Sequence, residues 1–206
     1  MYPSWFDSIT RPPSCTTYRL PLTVSFSVHP SRIADSRLDL FDVDTAVTAY
    51  AKLVEPPFGF LLESVVGGDQ WARYSFLGTR PSGAWRLREG KVSWWTPEGG
   101  WKDTTASDPL RDLDERLRAR RPAEVAGLPR LWGGAVGYFA YDVVRQIERL
   151  PYAPPDNLAL PDALLLFTDV VLAIDNPKGR ALAIGALPGS DRFMRSIVDD
   201  DIVRKP

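Results

Sequence analysis

Glu63 and Ser64 stand side by side inside an otherwise apolar run, "FGFLLESVV" (58–66). A carboxylate next to a hydroxyl offers acceptors and a donor to a small polar ligand, the kind of pairing that interrupts a buried strand only for a reason. The remaining chemical inventory is thin. His29 is the only histidine and Cys15 the only cysteine, so neither the usual zinc ligand set nor a nucleophile–histidine triad can be assembled with ordinary redundancy. "GGAVGYF" (133–139) lacks the Lys-Ser/Thr pair of a phosphate loop, and Trp132 stands where a dinucleotide fingerprint needs its first glycine, so these glycines read as close backbone packing in a strand. Asp108, Asp112, Asp114 and Glu115 alternate with arginines at helical spacing, which describes a solvated helix face. Trp94, Trp95 and Trp101 crowd one hairpin. A stacking platform for sugars or single-stranded nucleic acid would use such residues, but no basic stripe accompanies them, and core and hairpin packing is the preferred reading.

The elements that position these residues follow from periodicity. Asp42 or Asp44 is expected to cap a helix with Val43, Val47, Tyr50 and Val54 along its apolar side, stopped by Pro56-Pro57. A strand is expected at 58–66, a Gly67-Gly68-Asp69 turn, and a second strand near 73–77. "GAWRLREGKVSWW" (83–95) has the alternation of a hairpin turning at Glu89-Gly90. Asp108-Pro109 opens a helix carrying Leu110, Leu113 and Leu117 on one face and ending before Pro122. "RLWGGAVGYF" (130–139) is a glycine-rich strand followed by a short helix marked by Val144, Ile147 and Leu150. The runs 163–174 and 180–186, joined by "NPKG", form a last hairpin. Adjacent hairpins with helices at intervals define an α+β fold, a mostly antiparallel sheet with packed helices, rather than a doubly wound parallel sheet.

Residues 1–37, with four prolines among the first twenty-one, read as a poorly structured leader with one possible strand at 22–28. Residues 38–187 form the domain, and 188–206 read as a linker or frayed tail. A composition 44% hydrophobic and 25% charged is that of a globular chain, and a formal net charge of -1 gives no pull toward nucleic acid or an anionic membrane. The longest apolar run, 163–174, is interrupted at Thr168-Asp169 and is too short to span a bilayer. With no secretory signal at the N-terminus and a single cysteine, a cytoplasmic location is expected.

Two long motifs, "FLLESVVGGDQWARYSFLGTRP" (60–81) and "GGAVGYFAYDVVRQIERLP" (133–151), resemble the N-terminal region of anthranilate synthase component I, a chorismate-utilising lyase of tryptophan biosynthesis. "DVDTAVTAYAKL" (42–53) and "DALLLFTDVVLAIDNPKGRALAIG" (162–185) match the same region in order, so the resemblance covers roughly 40–187. Aminodeoxychorismate synthase component I shares this architecture and is the near alternative; a stand-alone, non-catalytic amino-acid-binding module is the other. The resemblance implies that the intact enzyme converts chorismate and ammonia, delivered by a glutamine amidotransferase subunit, to anthranilate and pyruvate. It also implies that the catalytic groups and the carboxylates that hold Mg2+ lie in a chorismate-binding domain that begins where this chain stops. No catalytic residue carries over. The feedback inhibitor L-tryptophan binds the family around "LLES", which points to Leu62, Glu63, Ser64 and Arg73 in this sequence. Strand alternation sends neighbouring side chains to opposite faces, so Ser64 is expected to act by side chain and Glu63 partly by backbone. The competing reading pairs Glu63 with Arg73 or Arg80 across a strand. Tyr138 and Tyr141 of "GYFAYD" are expected on the inter-domain side, with Asp142 capping the helix after them.

Overall fold

A computed structural model describes residues 45–63, 73–120, 127–152, 155–156, 158–185 and the backbone of three strands at 16–19, 25–28 and 34–39. The chain divides into two compact units, one formed by residues 1–79, 122–133 and 169–206, the other by 80–121 and 134–168.

The first unit is built on a seven-stranded sheet. Strands β1 (Thr16–Arg19), β2 (Ser25–Val28) and β3 (Ala34–Asp39) precede helix α1 (Ala46–Leu53), then β4 (Gly59–Leu62) and β5 (Tyr74–Thr79). Every pairing in it is antiparallel, in the order β1-β2-β3-β12-β11-β5-β4, where β11 is Val170–Asp175 and β12 is Arg180–Gly185. The stretch 1–37 thus supplies two of these strands and the start of a third, with β3 pairing along the whole of β12. Helix α1 is capped one residue after Asp44, the later of the two aspartates the sequence offered. Its cap is Thr45, whose Oγ1 accepts from the backbone of Thr48 while Thr48 Oγ1 receives the Thr45 N–H, a reciprocal capping box. The buried face is also displaced: Ala46 and Ala49 are buried and Val47 is more than half exposed. Small residues win here because they let the helix lie close on the sheet, against Leu77, Leu172 and Ile174.

The second unit carries a five-stranded antiparallel sheet in the order β8-β7-β6-β10-β9. Its strands are β6 (Gly83–Arg88), β7 (Lys91–Thr96), β8 (Gly100–Asp103), β9 (Gly134–Phe139) and β10 (Ala163–Thr168), with helix α2 at Pro109–Ala119. The β6–β7 turn is the expected one, with Glu89 and Gly90 both at positive φ (51° and 74°), the geometry that matches strand twist in a two-residue hairpin. Asp108 caps α2 with Pro109 in the first turn. Trp85, Leu87, Leu113, Leu165 and Phe167 form the core. Gly137 on β9 lies so close to β10 that a Cβ there would run into the Leu164 carbonyl, whereas Gly134 at the start of the strand has room for one but sits at a positive φ of 109°.

Three expectations change. The run 163–174 is two strands, β10 and β11, in different sheets, with the break at Asp169. The short helix after β9 is a 3-10 turn, Tyr141–Gln146, that buries Val143 and leaves Ile147 exposed. Asp142 does not cap it through its side chain; it holds Arg145 instead, Nε donating to Oδ1 at 2.7 Å. The helical part is small, two α-helices among the described residues, and neither is long and apolar enough to cross a membrane.

Candidate functional site

Three of the four candidate residues, Leu62, Glu63 and Arg73, lie on the edge strand of the seven-stranded sheet or next to it and its neighbour. Among the described strands β4 is an edge of that sheet, paired with β5 from Gly59 opposite Thr79 to Leu62 opposite Phe76. Leu61 turns inward and packs on the α1 cluster, while Leu62 is 44% exposed and Glu63, one residue past the strand, is exposed. Glu63 therefore sits where the edge strand ends. Ser64 and the Gly67-Gly68-Asp69 turn lie outside the described residues.

Arg73 immediately precedes β5 and is held firmly. Its Nε donates to Asp175 Oδ1 at 3.0 Å and its Nη2 to Asp175 Oδ2 at 2.6 Å, a two-pronged pair across β5 and β11. The guanidinium also lies 4.8 Å from the ring centroid of Tyr74. The hydrogen bond to Asp175, more than any other influence, raises the pKa of Arg73 above its ordinary value, so the group stays cationic. Asn176, next in sequence to Asp175, donates its backbone N–H to the Arg73 carbonyl at 2.9 Å and its side-chain amide to Ser75 Oγ at 3.1 Å. The start of β5 is thereby fastened to the end of β11 through both main chain and side chains. Asp175 is the partner that sequence reasoning missed; the competing reading had looked for a carboxylate at Glu63. Its only sequence signal is an acidic residue closing the apolar run 170–174 before "NPKG".

Beside this pair lies a shallow groove of about 170 Å³ lined by Arg73, Tyr74, Gly127, Asp175, Lys178, Arg180, Ala181 and Leu182. Three cationic side chains face one carboxylate there, with Tyr74, Ala181 and Leu182 as apolar walls. Such a lining suits a small organic anion with an apolar body. Among the described residues no three His, Cys, Asp or Glu side chains gather as a metal set, so these residues do not fit the Mg2+ that the family implies. Two of the tryptophans of the other unit pack in its core. Trp85 is fully buried, its indole N–H donating to Asp112 Oδ2 at 2.8 Å, and Trp94 packs edge-on against Phe167. Asp112 is accordingly not part of a solvated face, unlike Asp114 and Glu115, which pair with Arg118 and Arg111 in solvent.

The fold matches that of anthranilate synthase component I from Streptococcus pneumoniae, with a TM-score of 0.54 and 24% identity, over 82% of this chain and 37% of that one. In sequence the chain is similar to anthranilate synthase component 1 of Mycobacterium tuberculosis, 41% identical over 178 residues (82% of this chain, 34% of the relative). It is likewise 44% identical over 156 residues to that of Thermus thermophilus and 40% identical over 156 residues to that of Pseudomonas aeruginosa. The resemblance to anthranilate synthase component I is thus shown, and the chain spans about a third of the length of the curated relatives it matches. No protein-family model matches the chain.

Proposed function

We propose that this chain is the regulatory and scaffolding N-terminal portion of an anthranilate synthase component I. The observation that carries the reading is the identity of about 40% to several proteins of that name over most of this chain and only a third of theirs. The intact protein would convert chorismate and ammonia to anthranilate and pyruvate, with ammonia supplied by a glutamine amidotransferase partner. The chemistry of chorismate would belong to the part of the relatives that this chain does not span.

Surface character supports the scaffolding role. Among the described residues most of the large apolar side chains left exposed fall between 138 and 160: Tyr138 and Phe139 at the end of β9, then Tyr141, Ile147, Tyr152, Leu158 and Leu160. They are held together by Tyr138 Oη donating to the Pro161 carbonyl, by Ala140 N–H donating to the Asp162 carbonyl, and by Arg145, which gathers Asp142 and the carbonyls of Leu150 and Tyr152. An apolar surface beside the end strand of the described sheet suits burial by further chain, here the chorismate-binding domain.

The regulatory role rests on the polar end of β4 and on Arg73. A free amino acid presents an ammonium, a carboxylate and, for tryptophan, an indole N–H. Glu63 would accept from the ammonium, Arg73 would receive the carboxylate, Leu62 would supply apolar surface, and Ser64 would complete the polar contacts. The test is anthranilate fluorescence with chorismate, ammonium and Mg2+. The 206-residue chain alone should be silent. Joined to the portion of the Thermus thermophilus relative beyond its matched 156 residues, it should turn over and be inhibited by tryptophan. Turnover by the short chain, or an active chimaera insensitive to tryptophan, would overturn the corresponding half of the proposal.

A further inference from the structure

The ion pair behind Arg73 has a role beyond holding two strands together. A guanidinium has five N–H donors in a planar fork. Asp175 takes one from Nε and one from Nη2, on the edge facing β11. The Arg73 side chain is 39% exposed while that of Asp175 is only 13% exposed. The carboxylate is thus the buried anchor and the guanidinium the presented group. Tyr74 fixes the guanidinium from the side, and the main-chain bond from Asn176 fixes the residue from behind. The groove onto which Arg73 opens carries further cations at Lys178 and Arg180.

We propose that Asp175 is a positioning residue that presents Arg73 to the carboxylate of an amino-acid ligand entering this groove. The inference rests on the reading of Arg73 as part of the tryptophan site and deepens it. An arginine on a free stem samples many rotamers and must surrender that freedom when it binds; one already locked by a bidentate partner has surrendered it in folding. Asp175 thereby contributes to affinity and selectivity without touching the ligand.

The experiment titrates the 206-residue chain with L-tryptophan and with L-tryptophanamide into the millimolar range, following backbone amide shifts. Tryptophan should bind and the amide, which lacks the carboxylate, should bind about tenfold more weakly. Asp175→Asn should bring tryptophan close to the amide while leaving the amide's own affinity unchanged. A merely structural loss would weaken both together. Arg73→Ala should abolish the same preference. If the parent chain shows no preference for tryptophan over its amide, or Arg73→Ala retains it, the reading of the site falls and the inference with it. If Arg73→Ala loses the preference but Asp175→Asn keeps it, the inference alone is wrong. Should Asp175→Asn fail to fold, Asp175→Glu decides. It keeps the charge but shifts the fork, and an undiminished preference in that variant would equally overturn the positioning role.

Discussion

Asp112 shows how one carboxylate can look like surface and serve the core. In sequence it is one acid among several on α2, four residues before Arg116. In the fold its carboxylate receives the indole N–H of the fully buried Trp85 and two donors of Arg116, at 2.8 and 3.2 Å. Replacing Asp112 by Ala orphans the indole N–H and should lower stability by about 1–3 kcal/mol. Removing Asp114, whose side chain is 55% exposed against 18% for Asp112, should change it by less than about 0.5 kcal/mol. Urea unfolding of the two variants checks the contrast. Thr45→Ala should cost about 1 kcal/mol by the same measurement, because the capping box that opens α1 depends on its hydroxyl, whereas Asp44→Ala should cost little.

Strand β9 is where element-level packing leaves least freedom. Gly137 pairs with Leu165 in the β9–β10 register, and the Leu164 carbonyl occupies the place a Cβ would need. Because the obstacle is backbone and not the end of a flexible side chain, Gly137→Ala should destabilise by about 1–3 kcal/mol and loosen β9 from β10. Faster amide exchange in 134–139 than in β6–β7 would report it, and unchanged exchange would show that the sheet can shift to make room. The strands β10 and β11 carry a lesson of the same scale. Val170, Leu172 and Ile174 face the α1 cluster, while Ala173 packs with Ile184, Tyr74 and Phe76 on the other side of the same sheet. A strand buried on both faces is apolar at every position, and so loses the alternation that would mark where one strand stops and the next begins.

For the whole molecule, nearly every residue of the apolar run 163–174 is buried, each of its two strands within its own unit. The exposed apolar surface is elsewhere, with Tyr141 at 84% and Tyr152 at 95%. The purified chain should therefore bind a hydrophobic dye through the region 138–160. Ile147→Lys with Leu158→Lys should reduce that binding at least twofold without lowering stability by more than about 0.5 kcal/mol, since both residues lie in solvent. Dye binding unaltered by the double change would place the sticky surface outside this edge.

The sequence by itself determined the local elements that carry their own signals. The Glu89-Gly90 hairpin, the Asp108-Pro109 helix start and the "NPKG" turn before β12 all depend on φ preferences and caps that a few adjacent residues impose. It also determined the resemblance, through motifs long enough to be specific. Only the tertiary structure decided that β10 and β11 part into separate sheets, that small residues rather than valines seat α1, and that Asp112 belongs to Trp85. It alone joined Arg73 to Asp175, 102 residues apart. Periodicity says which face of an element is apolar, but which charge meets which is set by strand register between distant segments, and register is a property of the assembled sheet.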